Sequence, residues 1–219
     1  MSVDSLLFFV TAGLLLNLTP GPDVLYIASN ALRHGARAGI AAAFGITAGC
    51  FVHILAAAVG VSALLSASSM AFAVLKWLGA AYLVYVGMRL LMAQGEFAIL
   101  LEASSQGFTG ANPQINYQSI FLRGFGTNAL NPKVALFFLA FVPQFIAPAV
   151  ENKPLAFLLL GLLFNFNGLW VNIGWALAAA WLAQRAGLVQ KSLQVLDRVS
   201  GALFIGFGIK LALTEAPQP

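Results

Sequence analysis

Long apolar stretches follow one another along the chain, separated by short polar segments. A helix needs about 20 consecutive, mostly apolar residues to cross the hydrocarbon core of a bilayer. The pattern predicts six such helices, and a serine-rich segment at residues 66–69 divides the second from the third. The predicted spans cover residues 5–29, 38–65, 70–92, 120–146, 155–184 and 197–213. The expected fold class is therefore all-α, a polytopic membrane protein with six transmembrane helices.

The composition agrees with a membrane protein and excludes several other classes. Of the 219 residues, 60% are hydrophobic and 8% are charged, and the mean hydropathy is +0.89. A soluble domain carries about a quarter charged residues, so the 11 Lys and Arg with the 7 Asp and Glu are too few to coat one. These values exclude a soluble enzyme, a nucleic-acid-binding domain and a disordered tail. The pI of about 9.5 therefore reports loop topology and not a nucleic-acid partner.

The cysteine content and the N-terminal residues narrow the picture further. The single Cys50 cannot form an internal disulfide, a redox pair or a cysteine-rich metal site. No Lys or Arg precedes the first apolar run, whereas a cleavable signal peptide begins with a positive segment. We therefore expect the first apolar run to be a retained membrane helix.

The basic residues predict the orientation of the chain. Seven lie in or beside the first, third and fifth connections, namely Arg33, Arg37, Arg89, Arg123, Arg185, Lys191 and Arg198. Three lie on the other side, namely Lys76, Lys153 and Lys210. Cytoplasmic loops carry an excess of Lys and Arg, so the odd-numbered connections are expected in the cytoplasm and both termini outside. The third connection, residues 93–119, is then a cytoplasmic loop between two halves.

The two halves of the chain resemble each other. In the third span the series is Lys76, Gly79, Gly87 and Arg89, and in the sixth it is Arg198, Gly201, Gly208 and Lys210, with one gap. Each half, 1–92 and 120–219, holds three spans, so the second half must enter the membrane from the opposite side. The sequence therefore predicts one transmembrane domain over 1–219, built as two inverted three-helix repeats, as in many secondary transporters. The alternative is a chance likeness between glycine-rich apolar helices.

The first span contains a break, at the segment Asn-Leu-Thr-Pro-Gly-Pro-Asp of residues 17–23. Proline removes a backbone donor and clashes with the preceding turn. The carbonyls that it frees need partners, so the break should face protein or a water-filled cavity. Asp23 then begins a second half-helix, whose N-terminal dipole favours a carboxylate. The candidate pathway residues here are Asn17, Thr19, Pro20, Gly21, Pro22 and Asp23.

The fourth span repeats this logic with the opposite charge, and its candidate residues are Asn128, Asn131, Pro132 and Lys133. Lys133 follows Arg123 by ten residues, which places it about 15 Å deeper, near the bilayer midplane. A charge there must be paired or hydrated, and Asp23 is the expected partner of Lys133. Two interpretations stay open: a fixed ion pair that locks two helices, or a transport element in which Asp23 carries a proton and Lys133 holds a carboxylate.

Three further polar residues are weaker candidates for the pathway. Asn165 and Asn172 are seven residues apart in the fifth span and share a helical face. They line a cavity in one interpretation and make interhelical hydrogen bonds in the other. His53, in the second span, is either a proton relay or a hydrogen-bonded structural residue.

Both breaks resemble signatures of a known family. The segment Thr-Pro-Gly-Pro-Asp at 19–23 is similar to a motif of the lysine exporter superfamily (LysE/RhtB family), and so is Asn-Ala-Leu-Asn-Pro-Lys at 128–133, preceded by Arg123 and a glycine. The run from Gly79 to Gly87 matches as well, and the resemblance covers essentially the whole chain. It implies a bacterial inner-membrane amino-acid exporter driven by the proton motive force. The chain looks most like the threonine, homoserine and leucine branch. The functional residues that the resemblance implies are Pro20, Gly21, Pro22, Asp23, Asn128, Asn131, Pro132 and Lys133.

Other functions lack their expected residues. A divalent-metal exporter would want several membrane carboxylates or a His-rich loop. An intramembrane enzyme needs a nucleophile–base pair or a metal triad, and the chain has no H-E-x-x-H or G-x-S-x-G segment. A structural or assembly protein gains little from broken helices with opposite charges.

The expected partners follow from the same residues. No ATP-binding loop or dinucleotide fingerprint is present, so we expect no cofactor, no metal and a transport cycle driven by an ion gradient. The expected partners are an amino-acid substrate, protons and the lipid bilayer. Small residues on several spans are compatible with a homodimer.

Overall fold

The computed structural model describes residues 3–61, 69–92, 115–147 and 150–183, with 202–203, 205–206 and 208–209. Within these ranges every regular element is a helix, which confirms the all-α class. Most of the predicted connection at 93–119 and most of the predicted sixth span lie outside the described residues. The arrangement of two inverted three-helix repeats therefore stays a prediction.

The described helices follow the predicted spans, with two of those spans divided. Helix α1 covers Val3–Leu18, α2 covers Pro22–His34, and α3 covers Ala36–Ala56 and continues through a π-helical turn, Ala57–Val61. Helix α4 covers Ser69–Met92 and α5 covers Tyr117–Ala129. Helix α6, Pro132–Leu136, continues through a π-helical turn, Phe137–Phe141, and a 3-10 turn, Val142–Phe145, and α7 covers Lys153–Leu182.

Two segments of the described chain are long and apolar enough to cross a bilayer as single helices, Ala36–Gly60 and Lys153–Leu182. Two pairs of shorter helices, each bent at a short break, add two more spans if each pair is counted as one span. Helices α1 and α2 meet at 50°, and α5 meets the segment Pro132–Phe145 at 45°. The bends fall at the prolines that predict them. Pro22 and Pro132 stand in the first turn of α2 and α6, where a missing N–H costs no intrahelical hydrogen bond.

Helix α3 lies at the centre of the described bundle and packs against α2, α5 and α7. Glycines bring its backbone close to that of α5. A side chain at Gly45 or Gly49 would collide with the backbone of α5, and a Cβ on Gly124 would lie 2.9 Å from the Ala42 carbonyl oxygen. Such close backbone contact is typical of small residues at helix interfaces in membranes.

Two of the three apolar clusters of the described residues lie beside the helix breaks. The aromatic cluster joins Phe9 of α1, Phe164 of α7 and the rings of the segment 137–145, and the Phe137 and Phe164 centroids are 4.7 Å apart. The isoleucine cluster is centred on Ile27, Ile46 and Ile120. The two helix breaks lie between these clusters, so the buried polar groups of the breaks are enclosed from both directions.

Candidate functional site

The first break is bound by a side chain from the second. The ammonium nitrogen of Lys133 donates to the carbonyl oxygens of Leu16, at 3.1 Å, and Thr19, at 3.2 Å. In a continuous helix the Leu16 carbonyl would accept from the N–H of residue 20, which Pro20 lacks. Lys133 therefore supplies the missing donor, and its positive charge lies at the C-terminal end of α1, where the helix dipole favours a cation.

The second break is bound in turn by a side chain from the first. Asp23 accepts through Oδ2 from the side-chain amides of Asn128, at 3.1 Å, and Asn131, at 2.7 Å. The side-chain oxygen of Asn131 also caps α6 by accepting from the backbone N–H of Lys133 at 2.9 Å. Each charged residue thus binds the broken segment of the opposite half of the chain.

Asp23 and Lys133 are both almost fully buried, with 6% and 8% of their surface exposed. Both line the same cavity. Within the described residues, however, no hydrogen bond or ion pair joins them directly. Their partners are neutral carbonyl and amide groups, which differs from the simple ion pair expected from the sequence.

The smaller residues of the first break make room for this arrangement. A Cβ on Gly21 would lie 3.2 Å from the Lys133 ammonium nitrogen. The buried Thr19 turns back on its own helix, and its hydroxyl donates to the Leu15 carbonyl at 2.6 Å. The hydroxyl hydrogen of Thr19 is therefore donated to a carbonyl of α1.

His53 adds a donor at the second break, where the Asn128 carbonyl also accepts from the Asn131 backbone N–H at 2.8 Å. Pro132 cannot donate to the Asn128 carbonyl in helical fashion, and His53 Nε2 lies 2.8 Å from that oxygen. A carbonyl oxygen only accepts, so Nε2 carries the hydrogen. His53 does not line the cavity that holds Asp23, and its contacts are those of a hydrogen-bonded structural residue.

The polar groups of both breaks surround one cavity, called here the central cavity. It offers about 10 Å³ to the centre of a water molecule, which is room for about one water. Its polar lining comes from Asn17, Asp23, Thr47, Asn128, Lys133, Asn165 and Asn172, and its other lining residues are Leu16, Val24, Ile46, Cys50, Val134, Phe164 and Gly168. The cavity is too small for an amino acid.

Three buried polar atoms at the central cavity have no hydrogen-bond partner: Asn17 Nδ2, Asp23 Oδ1 and Asn128 Oδ1. A buried polar atom left without a partner costs about 1–3 kcal/mol. These three atoms are therefore able to bind a polar ligand.

Helix α7 contributes one polar face to the central cavity. Asn165 and Asn172 are both buried there, and the Asn165 side-chain amide donates to the Thr47 carbonyl at 3.2 Å. Gly168 lies between them, and its missing side chain leaves space for Asn17, whose amide atoms would be 3.2 Å from a Cβ at that position.

Helix α3 contributes two lining residues that sequence reasoning missed, Thr47 and Cys50. A usable signal existed, because Thr47, Cys50 and His53 recur every three residues in an otherwise small and apolar helix. Residues with this spacing share a helical face.

In the part of the chain that the structure describes, no three His, Cys, Asp or Glu side chains lie close enough together to hold a metal ion.

A second and larger cavity, called here the basic cleft, opens between α2 and α5. It has a volume of about 360 Å³. Its lining includes Arg33 and His34 at the end of α2 and Arg123 on α5. Basic residues of the first and third connections therefore lie together at one end of the bundle.

The basic cleft is separated from the central cavity by the isoleucine cluster and one hydrogen bond. The Tyr26 hydroxyl donates to the Ile120 carbonyl at 2.8 Å and so links α2 to α5. Tyr26 is three residues from Asp23, a rise of about 4.5 Å along α2. Less than one turn of α2 therefore lies between Asp23 and Tyr26, which lines the basic cleft.

Comparisons with known proteins give a family and several relatives. The family model described as LysE type translocator matches residues 14–215. A homoserine/homoserine lactone efflux protein of Salmonella typhimurium is 31% identical, over 93% of this chain and 94% of that protein. A leucine efflux protein of the same organism is 26% identical, over 95% and 94%. An uncharacterised membrane protein of Pseudomonas aeruginosa is 34% identical, over 89% and 88%. No solved structure matches the chain.

Proposed function

The chain belongs to the LysE type translocator family, and we therefore propose that it exports neutral amino acids such as threonine, homoserine or leucine by proton antiport. Its proposed place is the inner membrane of a bacterium. The observation that carries the proposal is the central cavity, in which one carboxylate and several amides are buried between two broken helices. Broken helices that meet at a buried polar site are the usual construction of secondary transporters.

The choice of a neutral substrate is supported by the relatives and by the lining of the central cavity. Two relatives are named for the efflux of homoserine, homoserine lactone and leucine. These molecules share a primary amine, and none has a charged side chain. Within the described residues the charged groups that line the central cavity are Asp23 and Lys133, and Lys133 is held by backbone carbonyls.

Asp23 is the proposed proton carrier. It is the carboxylate that the described residues supply to the central cavity, and a buried carboxylate responds strongly to charge in its surroundings. In the proposed cycle Asp23 takes a proton from the outside and releases it to the cytoplasm. Lys133 would reach a substrate carboxylate only after leaving the carbonyls of Leu16 and Thr19, so its role in this structure is to hold the first break.

Alternating access requires two barriers that open in turn. We assign the cytoplasmic barrier to the isoleucine cluster with the Tyr26–Ile120 hydrogen bond, and the outer barrier to the aromatic cluster. In this proposal the basic cleft faces the cytoplasm, which is consistent with the excess of basic residues that cytoplasmic ends carry. The proposal includes both termini outside, one domain of two inverted repeats, and a homodimer built on the small residues of the spans.

The test is amino-acid transport by the purified protein in liposomes. Labelled threonine, homoserine, leucine and lysine are compared with and without an imposed pH gradient, and with a protonophore. We expect transport of a neutral amino acid that the gradient drives and the protonophore abolishes. Transport against a concentration gradient that a protonophore leaves unchanged would overturn antiport, and absence of amino-acid transport would overturn the proposal as a whole.

The matched variants are Asp23→Asn and Asp4→Asn. They make the same chemical change, but Asp4 is an exposed residue near the start of α1. We expect Asp23→Asn to lose gradient-driven transport and Asp4→Asn to keep it. Normal gradient-driven transport by Asp23→Asn would exclude Asp23 as the proton carrier.

A further inference from the structure

Two of the three polar atoms without a partner at the central cavity are oxygens of adjacent side chains. Asp23 and Asn128 share a hydrogen bond through Asp23 Oδ2 and Asn128 Nδ2. Because that bond fixes which end of the Asn128 amide is nitrogen, Asn128 Oδ1 is assigned as an acceptor. Asp23 Oδ1 and Asn128 Oδ1 then remain as two acceptors without a donor.

The chemistry of these two oxygens selects the group that binds them. A primary ammonium has three donors and no acceptor, whereas a carboxylate has only acceptors. A carboxylate placed here would meet two acceptors and the negative charge of Asp23. The cation that could offset that charge, Lys133, donates to Leu16 and Thr19 instead.

We propose that Asp23 Oδ1 and Asn128 Oδ1 bind the primary ammonium group of the substrate, and that this amine is the group the site requires. This inference rests on the proposed export of amino acids and adds which end of the substrate is recognised. The third atom without a partner, Asn17 Nδ2, is a neutral donor. It suits a carbonyl oxygen, which a free acid, an ester, a lactone and an amide all possess.

Both acceptors belong to residues that are more than nine-tenths buried, with 6% of Asp23 and 3% of Asn128 exposed. A ligand ammonium would meet no competing water of the bulk solvent there, so the charge-assisted hydrogen bonds are strong. Because the central cavity has room for about one water, the substrate must enter with a widening of the site. The widening does not change which end of the substrate binds here. The hydrogen bond between the Asn128 amide and Asp23 keeps the two free oxygens side by side.

The decisive experiment blocks one end of the substrate at a time. The neutral amino acid that is transported best in liposomes competes with its own amide, which keeps the amine, and with its N-acetyl derivative, which keeps the carboxylate. We expect the amide to inhibit within about tenfold of the parent amino acid, and the N-acetyl derivative to be weaker by about a hundredfold. Inhibition by the N-acetyl derivative equal to or stronger than inhibition by the amide overturns the inference while leaving amino-acid export intact.

A binding measurement separates this inference from the transport proposal. The unfolding temperature of the purified protein is measured with the amides and the N-acetyl derivatives of leucine and homoserine, since a ligand that binds the folded state raises it. A rise with the amides alone supports amine recognition even if transport fails. A rise with the N-acetyl compounds alone overturns it, and no rise with either class also counts against it.

A pair of variants tests Asn128 itself. Asn128 and Asn131 both donate to Asp23 Oδ2, but the Asn131 side-chain oxygen is taken by the Lys133 N–H. Asn128→Ala removes the acceptor without a partner together with one donor to Asp23. Asn131→Ala removes the other donor to Asp23 and the cap of α6, but no acceptor without a partner. We expect Asn128→Ala to reduce the preference for the amide over the N-acetyl derivative by about tenfold, and Asn131→Ala to retain it. An unchanged preference in Asn128→Ala excludes Asn128 as a ligand of the amine.

Discussion

The Lys133 ammonium nitrogen lies 3.1 Å from the Leu16 carbonyl oxygen, the acceptor that Pro20 leaves without its helical donor. A related contact joins His53 to the Asn128 carbonyl at the second break. That carbonyl also accepts from the Asn131 backbone N–H at 2.8 Å, so His53 adds a second donor there, whereas Lys133 supplies the donor that Pro20 removes. The breaks are stable because their backbone groups are hydrogen-bonded across the bundle, as a membrane interior requires.

Removing the Lys133 ammonium should destabilise the protein. Lys133→Met keeps most of the side-chain volume but leaves the carbonyls of Leu16 and Thr19 without this donor. Each unpaired buried carbonyl costs roughly 1–3 kcal/mol, so we expect a lower unfolding temperature in detergent together with a loss of transport. Lys153→Met is the matched control, because Lys153 lies at the start of α7, outside the central cavity. Equal stability of Lys133→Met and the unmodified protein would contradict this role of Lys133.

Substitutions of His53 should distinguish a structural residue from a proton relay. His53→Gln retains an N–H donor for the Asn128 carbonyl but cannot titrate, whereas His53→Phe retains the ring and loses the donor. We expect His53→Gln to keep proton-coupled transport and His53→Phe to lose about 1 kcal/mol of stability, since the Asn128 carbonyl keeps its hydrogen bond from the Asn131 N–H. The measurements are gradient-driven transport in liposomes and thermal unfolding. A stable His53→Gln protein that has lost proton coupling would favour the relay.

The sequence predicts the breaks well, because their causes are local. Pro20, Pro22 and Pro132 act on their own preceding turns, and the structure bends both helices there. The ends of the spans are less accurate: residue 29 is the predicted end of the first span, whereas α2 continues to His34. Hydropathy falls there, but backbone hydrogen bonds continue until Gly35, which has a φ of +82° that favours glycine.

The partners of the charges are not local and could not be predicted in the same way. Charge alone pairs Asp23 with Lys133, and both do line the central cavity. Which carbonyl or amide each one binds depends on how the two breaks cross, and this is set by the packing of α3 against α5 and α7. The sequence predicts that Pro20 leaves a carbonyl without its donor. It does not predict that Lys133 supplies the replacement donor.

A side chain at Gly21 should impair function because it would crowd the Lys133 ammonium group. The backbone conformation of Gly21 would not oppose the substitution. Its φ of −165° is extended, but a Cβ would lie 3.2 Å from the Lys133 ammonium nitrogen. We expect Gly21→Ala to shift Lys133 and reduce the maximal transport rate. Gly126→Ala is the control, since a Cβ there meets nothing within 4 Å and the change gains about 1 kcal/mol of helix propensity. Transport by Gly21→Ala equal to that of Gly126→Ala would contradict the crowding.

The pH on the substrate side should affect substrate affinity more than maximal rate. If Asp23 binds either a proton or the substrate ammonium, protonation removes the acceptor charge and the two compete. We therefore expect the KM for the amino acid to rise as the pH falls on the side from which the substrate enters, with a smaller change in the maximal rate. The check is initial-rate transport in liposomes whose two sides are buffered separately. A maximal rate that falls with pH at constant KM would contradict the competition.

The Tyr26 hydroxyl should hold the barrier on the side of the basic cleft closed. Its bond to the Ile120 carbonyl joins α2 to α5 directly above the isoleucine cluster, and Tyr26→Phe removes that bond while keeping the ring. A net hydrogen bond contributes about 1 kcal/mol, so the open fraction on that side should rise about fivefold. The reporter is Val24→Cys in a protein without its native cysteine, because Val24 is buried at the central cavity. We expect this cysteine to react faster with a water-soluble thiol reagent when Tyr26→Phe is also present. Ser29→Ala, which changes another residue of the basic cleft without touching that bond, should leave the reaction rate unchanged. If Tyr26→Phe and Ser29→Ala react at the same rate, the hydrogen bond does not control access from the basic cleft.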